Sequence, residues 1–403
     1  MTQSRVHRAV ARATFAVSRP AVAGRYLAEV AGIEHVPASG PFVLVPNHES
    51  FADHFLLETI LFALRGHGGY FLTKAESFRS AWSRLWFESV GALPVDRDRP
   101  ARELLDLTSG VLHRGDVLVV YPEGTRNATG TLLPFKDGAF RFADRAGVPV
   151  IPVGIHGTAD ILPAGTVRPR PYRARVVFGA PLRLDPRLPR STRLRQVIAQ
   201  AETAVRELVA RAAAGTPDPD AARALVARAD ATIERALAPG DPVPLRTRMA
   251  QAALLLDLAE LDPAADTQVT RVRLAGLRIT HGAKALQLLR LPFLRRRAEE
   301  VVRHSPADPM ARYLLGRWHL LAPRWLGGRR QVAVTQLAAA AGIAARTGAD
   351  TRYAMAYAEA LHSTGQHAQA ARVLTSIIAT PAVDERQRRR QDRAAELHAR
   401  LTA

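Results

Sequence analysis

Residues 41–65 read PFVLVPNHESFADHFLLETILFALR, and this stretch decides the fold. Its first part is an unbroken apolar run, the pattern of a strand buried on both faces of a sheet. A polar stretch from Asn47 to Ser50 follows, and helical spacing then sets in over residues 53–65. The unit is strand, turn, helix, with a histidine at the strand's end, where open α/β sheets place reactive groups. The same alternation continues outward. Strands are expected at 41–46, 69–73, 117–121, 149–155 and 174–178, with helices near 53–65, 80–90, 101–114 and 138–146. Such alternation predicts an α/β domain, a mixed sheet flanked by helices.

Proline- and arginine-rich sequence fills 162–190, a helix runs on to about 213, and GTPDPD at 215–220 reads as a linker. Beyond it the strand signal vanishes and Ala, Leu and Arg recur at helical spacing. Gly328, Ala333 and Leu337 return as Gly365, Ala370 and Leu374, each 37 positions on. This pattern, near 311–381, is like a tetratricopeptide helix pair, whose usual period is about 34 residues; a plain helical bundle fits as well. The expected division is an N-terminal basic helix region (1–31), an α/β domain (32–213), a linker (214–220) and an all-α helical-repeat or helical-bundle domain (221–403).

Fifty-six basic residues face 37 acidic ones, a net charge of +19, and there is no cysteine. The last fact excludes disulfides, thiolate metal sites and a cysteine nucleophile. The charge points to an anionic partner, although only Lys74, Lys136 and Lys284 are lysines and an excess of arginine also follows from a G- and C-rich codon bias. No segment approaches the roughly 20 apolar residues of a membrane span, and no secretory leader is visible. On a helical wheel Arg5, Arg8, Arg12 and Arg19 share a stripe, with Val6, Val10, Ala13 and Val17 opposite and Phe15 on the arginine side. Two readings stand: an interfacial helix on anionic lipid, or a first helix packed on its own domain.

His48 and Asp53 lie five apart, on different faces of a straight helix. They meet only if His48 precedes the helix. Asp53 then fixes one ring nitrogen and leaves the other as a general base. In the other reading Ser50 and Asp53 form a capping box and His48 is a loop histidine. No Gly-x-Ser-x-Gly elbow, phosphate-binding loop or His-Glu-x-x-His is present.

Four blocks recur in order: 47–53 (NHESFAD), 91–97 (GALPVDR), 121–126 with 135–138 (YPEGTR, FKDG), and 148–153 (VPVIPV). Together they resemble the glycerolipid acyltransferase family, the 1-acyl-sn-glycerol-3-phosphate acyltransferase-like enzymes, over roughly residues 32–212. The resemblance implies that His48 is the catalytic base and Asp53 orients it. It implies that Arg97, Glu123, Gly124, Thr125 and Arg126 hold the acceptor's phosphate and glycerol, and that Pro152 lies on the acyl side. Lys74 and Lys136 either assist at phosphate or CoA, or serve the surface. An arginine fork suits phosphate, whereas a lone Glu123 would repel it and suits a hydroxyl or an arginine better.

The implied reaction moves a fatty acyl group from acyl-CoA or acyl-carrier protein to a lysophospholipid, foremost lysophosphatidic acid, with no cofactor or metal. Another lyso-lipid acceptor remains open, as does a helical scaffold carrying an inactive lipid-binding domain. Nucleic acid finds no reading motif. Basic and acidic residues balance at twelve each across 51–150, whereas 151–200 holds nine against two and 301–403 fifteen against seven. The charge excess therefore lies outside the motif blocks, and suits peripheral attachment to an anionic membrane surface, the cytoplasmic face of the plasma membrane, with the C-terminal helices free for a protein partner.

Overall fold

A computed structural model describes residues 5–95, 101–127, 131–238, 240–281, 284–348 and 350–402, with only the backbone at 5, 8, 12, 101 and 284–288. It divides into two compact units, Met1–Ala236 with Asp241–Ala265, and Leu237–Gly240 with Asp266–Ala403.

The first unit is built on one sheet. Its elements run α1 (Arg5–Ala21), β1 (Leu27–Ala31), β2 (Phe42–Pro46), α2 (Ala52–Arg65), β3 (Tyr70–Lys74), α3 (Ala81–Ser89), β4 (Ala92–Val95), α4 (Ala101–His113), β5 (Val117–Val119), α5 (Gly138–Ala146), β6 (Val150–His156), α6 (Thr158–Ile161), β7 (Ala174–Phe178), α7 (Arg190–Ala214), α8 (Ala221–Ala236) and α9 (Leu245–Ala259). The strand order is β1-β7-β6-β2-β5-β3-β4. Only the β6–β7 pair is antiparallel, so the sheet is mixed. All five strands read from sequence are present. The two extra ones, β1 and β4, sit at the sheet's edges, where a strand needs little β-propensity of its own.

Strand β2 lies at the centre and is buried along its whole length, as an unbroken apolar run requires. The five strands β2 to β6 are mutually parallel through their pairings, so their carboxyl ends share one edge of the sheet. On one face Val43 and Val45 of β2 join Phe140 of α5 and Val197, Ala201 and Val205 of α7 in a single core. Helix α7 comes unusually near. A Cβ on Gly154 would stand 2.4 Å from the Leu208 carbonyl carbon and 2.5 Å from the Val209 nitrogen, so only glycine admits the helix backbone there.

Helix α1 packs on α2 and α3 of its own unit, and the N-terminal region differs from the sequence reading in its bounds and in the side that faces inward. Residues 27–31 belong to the sheet, because β1 pairs with β7. Phe15 of α1 is buried, and the Arg19 guanidinium stacks on Phe62 at 3.4 Å while donating to Glu58 Oε1 at 2.7 Å. This part of the arginine side therefore packs inward. Val6 and Val17 are 57% and 76% exposed, so the apolar side faces outward. An aromatic ring and a buried carboxylate together outweigh the small valines in choosing the inner face.

The turn at 215–220, read as a linker, lies inside this unit. Asp218 N–H donates to Glu29 of β1, and Ala212 and Ala221 on its two sides pack with Ala31 and Val177. Helices α8 and α9 pack on β1 and α2.

The second unit is all helical: α10 (Gln268–Thr280), α11 (Lys284–His304), α12 (Pro309–Leu321), α13 (Arg330–Arg346), α14 (Arg352–Ser363), α15 (His367–Ala379) and α16 (Glu385–Thr402). Each helix packs on the next. The two repeated glycines do different work. Gly365 takes φ +79° in the α14–α15 turn, whereas a Cβ on Gly328 would meet the Ala322 carbonyl.

Gly154→Ala is expected to cost about 1–3 kcal/mol, because the clash is with main chain that cannot turn aside. Gly138→Ala, where nothing lies within 4 Å, should change stability by less than about 1 kcal/mol. Urea denaturation of the two variants checks this, and equal midpoints would refute the close approach.

Candidate active site

The site forms at the carboxyl edge of the parallel strands, around the turn from β2 to α2. His48 precedes the helix, so the five-residue spacing does not separate it from Asp53. Its Nδ1 lies 2.9 Å from Asp53 Oδ2. The same oxygen accepts the main-chain N–H of Glu49 at 2.9 Å and of Ser50 at 3.0 Å. The His48 pairing and the capping of this stretch are thus one arrangement: Asp53 reaches back to cap the turn and holds the imidazole with the same atom. Ser50 Oγ departs from the capping box, accepting from Ala52 N–H and donating to the Leu162 carbonyl. With Nδ1 carrying the proton to Asp53, the lone pair lies on Nε2, and the side chain remains 19% exposed beside an Asp53 that is fully buried.

The turn is clamped from both neighbouring strands. From β6, Ile155 exchanges two hydrogen bonds with the Asn47 side chain, at 2.7 and 2.9 Å. Glu49 Oε2 accepts from the main chain of Gly157 and Thr158 and from the Thr158 hydroxyl, capping α6. Burial, with the Asp53 carboxylate beside it, raises the Glu49 carboxyl above the ordinary glutamate range. From the β5 side, Glu123 Oε1 accepts the His48 N–H at 2.9 Å and Oε2 the Leu133 N–H at 3.1 Å, while Asn127 N–H donates to the His48 carbonyl at 2.7 Å. Both oxygens of Glu123, expected at substrate, face main chain, and the residue is buried.

Gly124 takes φ +71°, and a Cβ there would lie 2.7 Å from Lys136 Nζ, so the lysine's ammonium lies over the glycine. Lys136 is itself anchored by its N–H to the Pro122 carbonyl at 2.9 Å. Thr125 and Arg126 are exposed in the same turn, and Lys74 is exposed at the end of β3, on the same edge. Pro152 is buried in β6; a Cβ on Gly179 would stand 3.0 Å from its ring. Arg97 lies outside the described residues. Among the described residues no group of three or more His, Cys, Asp or Glu is placed to hold a metal.

Two residues without an assigned role stand out. Tyr121 stacks on the His48 imidazole, with centroids 3.8 Å apart and planes at 18°. Its hydroxyl is buried without a partner, and burial, then the Asp53 charge, pushes the phenol well above its usual range. His54 lies against Phe71 at 3.9 Å, its Nε2 buried and unpaired. Desolvation, then the nearby His48, lowers it to about 4.

Residues 28–156 match the family model described as Acyltransferase, a segment that includes His48, Asp53, Glu123 and Lys136. The chloroplastic 1-acyl-sn-glycerol-3-phosphate acyltransferase of Brassica napus is 33% identical over 144 residues, 35% of this chain and 40% of its own. The 1-acyl-sn-glycerol-3-phosphate acyltransferase of Bacillus subtilis is 26% identical over 149 residues, 37% of this chain and 70% of its own. The crystal structure of the 1-acyl-sn-glycerophosphate acyltransferase from Thermotoga maritima superposes with a TM-score of 0.43 at 24% identity, over 53% of this chain and 83% of that one. The chain thus spans less than half the length of the Brassica relative.

His54 makes folding sensitive to acid. Its ordinary value is 6.5 and its folded value about 4, so between them the unfolded chain binds a proton that the folded chain refuses. The stability concerned is complete above pH 6.5 and lost as pH falls toward 4, by up to about 1.4 kcal/mol per pH unit. His54→Leu should flatten that decline, by about 3 kcal/mol over the whole window. Urea unfolding of both proteins at pH 7 and pH 4.5 tests it; parallel losses would contradict the assignment.

Proposed function

We propose that this chain is an O-acyltransferase that moves a fatty acyl group from the thioester of acyl-CoA or acyl-carrier protein to the free hydroxyl of lysophosphatidic acid, giving phosphatidic acid. The observation that carries the reading is the His48–Asp53 pair at 2.9 Å, with His48 before α2 and Asp53 in its first turn, inside the segment that matches the Acyltransferase model. In the reaction His48 Nε2 takes the acceptor's hydroxyl proton as its oxygen attacks the thioester carbonyl carbon. The tetrahedral adduct collapses, the carbon–sulfur bond breaks, and the thiolate leaves with the proton now on His48. Asp53 keeps the ring in register and stabilises the imidazolium between the two transfers. No protein atom carries the acyl group, and the reaction requires no cofactor beyond the donor itself.

Acceptor recognition rests on cations at the same edge. Arg126, Lys136 and Lys74 are exposed there, and Arg97 follows β4 in sequence. A phosphomonoester is the headgroup such a set suits. Two relatives whose names specify 1-acyl-sn-glycerol-3-phosphate support the same acceptor. Glu123 acts in this reading as a positioning residue rather than a substrate contact, because main-chain donors face both its oxygens.

Among the described residues no helix is long and apolar enough to cross a membrane. The outward valine face of α1 and the basic excess of the chain support attachment to the surface of an anionic bilayer, where the lipid substrate resides, and the plasma membrane's cytoplasmic face is the surface we assign. The helical unit is then available to a protein partner.

Free CoA should be released from acyl-CoA only when lysophosphatidic acid is present, and His48→Ala should lower turnover by at least about a hundredfold with an unchanged melting temperature. Undiminished turnover would end this mechanism, and a panel of other lysophospholipids tests the acceptor. Glu123→Gln should reduce kcat by roughly ten- to a hundredfold through misplacement of His48 while leaving KM for the acceptor unchanged. A raised KM with normal kcat would return Glu123 to the substrate.

A further inference from the structure

Separate elements constrain different parts of His48. Its main chain is held by Glu123, which accepts the N–H, and by Asn127, which donates to the carbonyl. Its ring edge is held by Asp53, through a single oxygen facing Nδ1. A ring gripped at one atom of one edge can still rock about that hydrogen bond and carry Nε2 out of line. The remaining constraint acts on the face. The Tyr121 ring lies 3.8 Å from the imidazole, centroid to centroid, with the planes 18° apart. Edge and face together define where the Nε2 lone pair points.

Tyr121 reaches this position through contacts that do not involve His48. Strand β5 is buried and pairs in parallel with β2, and the Val120 N–H extends the pairing by donating to the Leu44 carbonyl at 3.0 Å. The Tyr121 carbonyl then accepts the Gly124 N–H at 3.1 Å, which closes the turn. The end of one strand thus delivers the phenol ring onto the histidine that follows its neighbour. The hydroxyl is buried without a protein partner, and burial keeps the phenol in its neutral form. What the side chain presents to His48 is therefore the electron-rich face of an aromatic ring, and neither a proton nor a hydrogen bond.

We infer that Tyr121 is a positioning residue for His48: its ring fixes the plane of the imidazole and favours the cation that the imidazole becomes on taking the acceptor's proton. The second of these roles rests on the proposed reaction. A cation over an aromatic face is attracted by the ring quadrupole, the more strongly where water is excluded. Asp53 supplies the counter-charge at the edge of the imidazole, and Tyr121 adds to it from the face. The neutral imidazole gains less from the quadrupole than the imidazolium does. The stack therefore lowers the barrier without tightening substrate binding, and its effect belongs in kcat. A ring that served packing alone would not distinguish the two charge states.

The full chain is compared with Tyr121→Leu, Tyr121→Phe and Tyr121→trifluorophenylalanine, the last of which keeps the shape of the ring but removes its negative face. Tyr121→Leu should lower kcat roughly tenfold to thirtyfold, with KM for donor and acceptor unchanged. Tyr121→Phe should hold kcat within about threefold of the parent, and the fluorinated ring should fall between Phe and Leu. The stack itself is read without substrate. The ring protons of His48, identified by their absence from the His48→Gln spectrum, should lie upfield in proton NMR of the parent and of Tyr121→Phe, and move downfield in Tyr121→Leu. Equal kcat for the Phe and fluorinated forms overturns the inference, and that pair decides it even where Tyr121→Leu fails to fold. So do His48 resonances that stay in place in Tyr121→Leu, or a raised KM with normal kcat, which would make Tyr121 a substrate contact. An unaltered chain that transfers no acyl group marks failure of the reaction, whereas normal transfer with equal kcat in all four forms marks failure of Tyr121 alone.

Discussion

One carboxylate oxygen organises the carboxyl edge of the parallel strands. Asp53 Oδ2 accepts from the His48 ring and from the amides of Glu49 and Ser50. A fully buried carboxylate needs such donors to offset its desolvation, and those available come from the very turn that carries His48. Position at the start of α2 helps, since the helix N-terminus favours negative charge there. The placement of the imidazole and the local fold are therefore one set of bonds, and a change that loosened the turn would displace the ring with it.

That turn does not hold itself. Main-chain and side-chain bonds reach it from β6, through Asn47 and Glu49, and from the segment after β5, through Glu123 and Asn127. Tyr121 adds a ring stacked on the imidazole. The imidazole is thus held by the fold itself, the condition under which orientation would contribute most to the proposed reaction. Strands β2, β5 and β6 are adjacent in the sheet yet far apart in the chain, so the preorganisation is a product of strand order.

This explains what the sequence could and could not disclose. The central strands were legible because burial on both faces leaves continuous apolar runs. The histidine and aspartate were legible because their partnership is local. Edge strands β1 and β4 escaped, since pairing on one side demands little of the residues, and Leu27–Ala31 has one β-branched residue, Val30, against the two valines of β2. Glu123 was visible as a motif residue, but its partners at 48 and 133 are set by tertiary structure, and no spacing rule reveals them. His54 and Tyr121 matter through what surrounds them, which composition does not record. The amphipathic pattern of α1 was correctly seen on the wheel, yet its inward side depends on Glu58, a carboxylate of another helix.

The pairing of Arg19 with Glu58 has a consequence for how this chain can change over generations. Glu58 is buried at the centre of α2, its carboxyl raised above the ordinary range by burial and held back by the guanidinium. Losing Arg19 alone would strand that charge, and losing Glu58 alone would leave a cation wedged between Phe15 and Phe62. Gly68 is drawn in as well, because a Cβ there would lie 2.6 Å from Glu58 Oε1. Three positions scattered along the gene are thereby inherited as one. Drift at any of them is blocked unless a compensating substitution has already occurred elsewhere, so this corner of the protein should diversify in steps of two or three rather than singly.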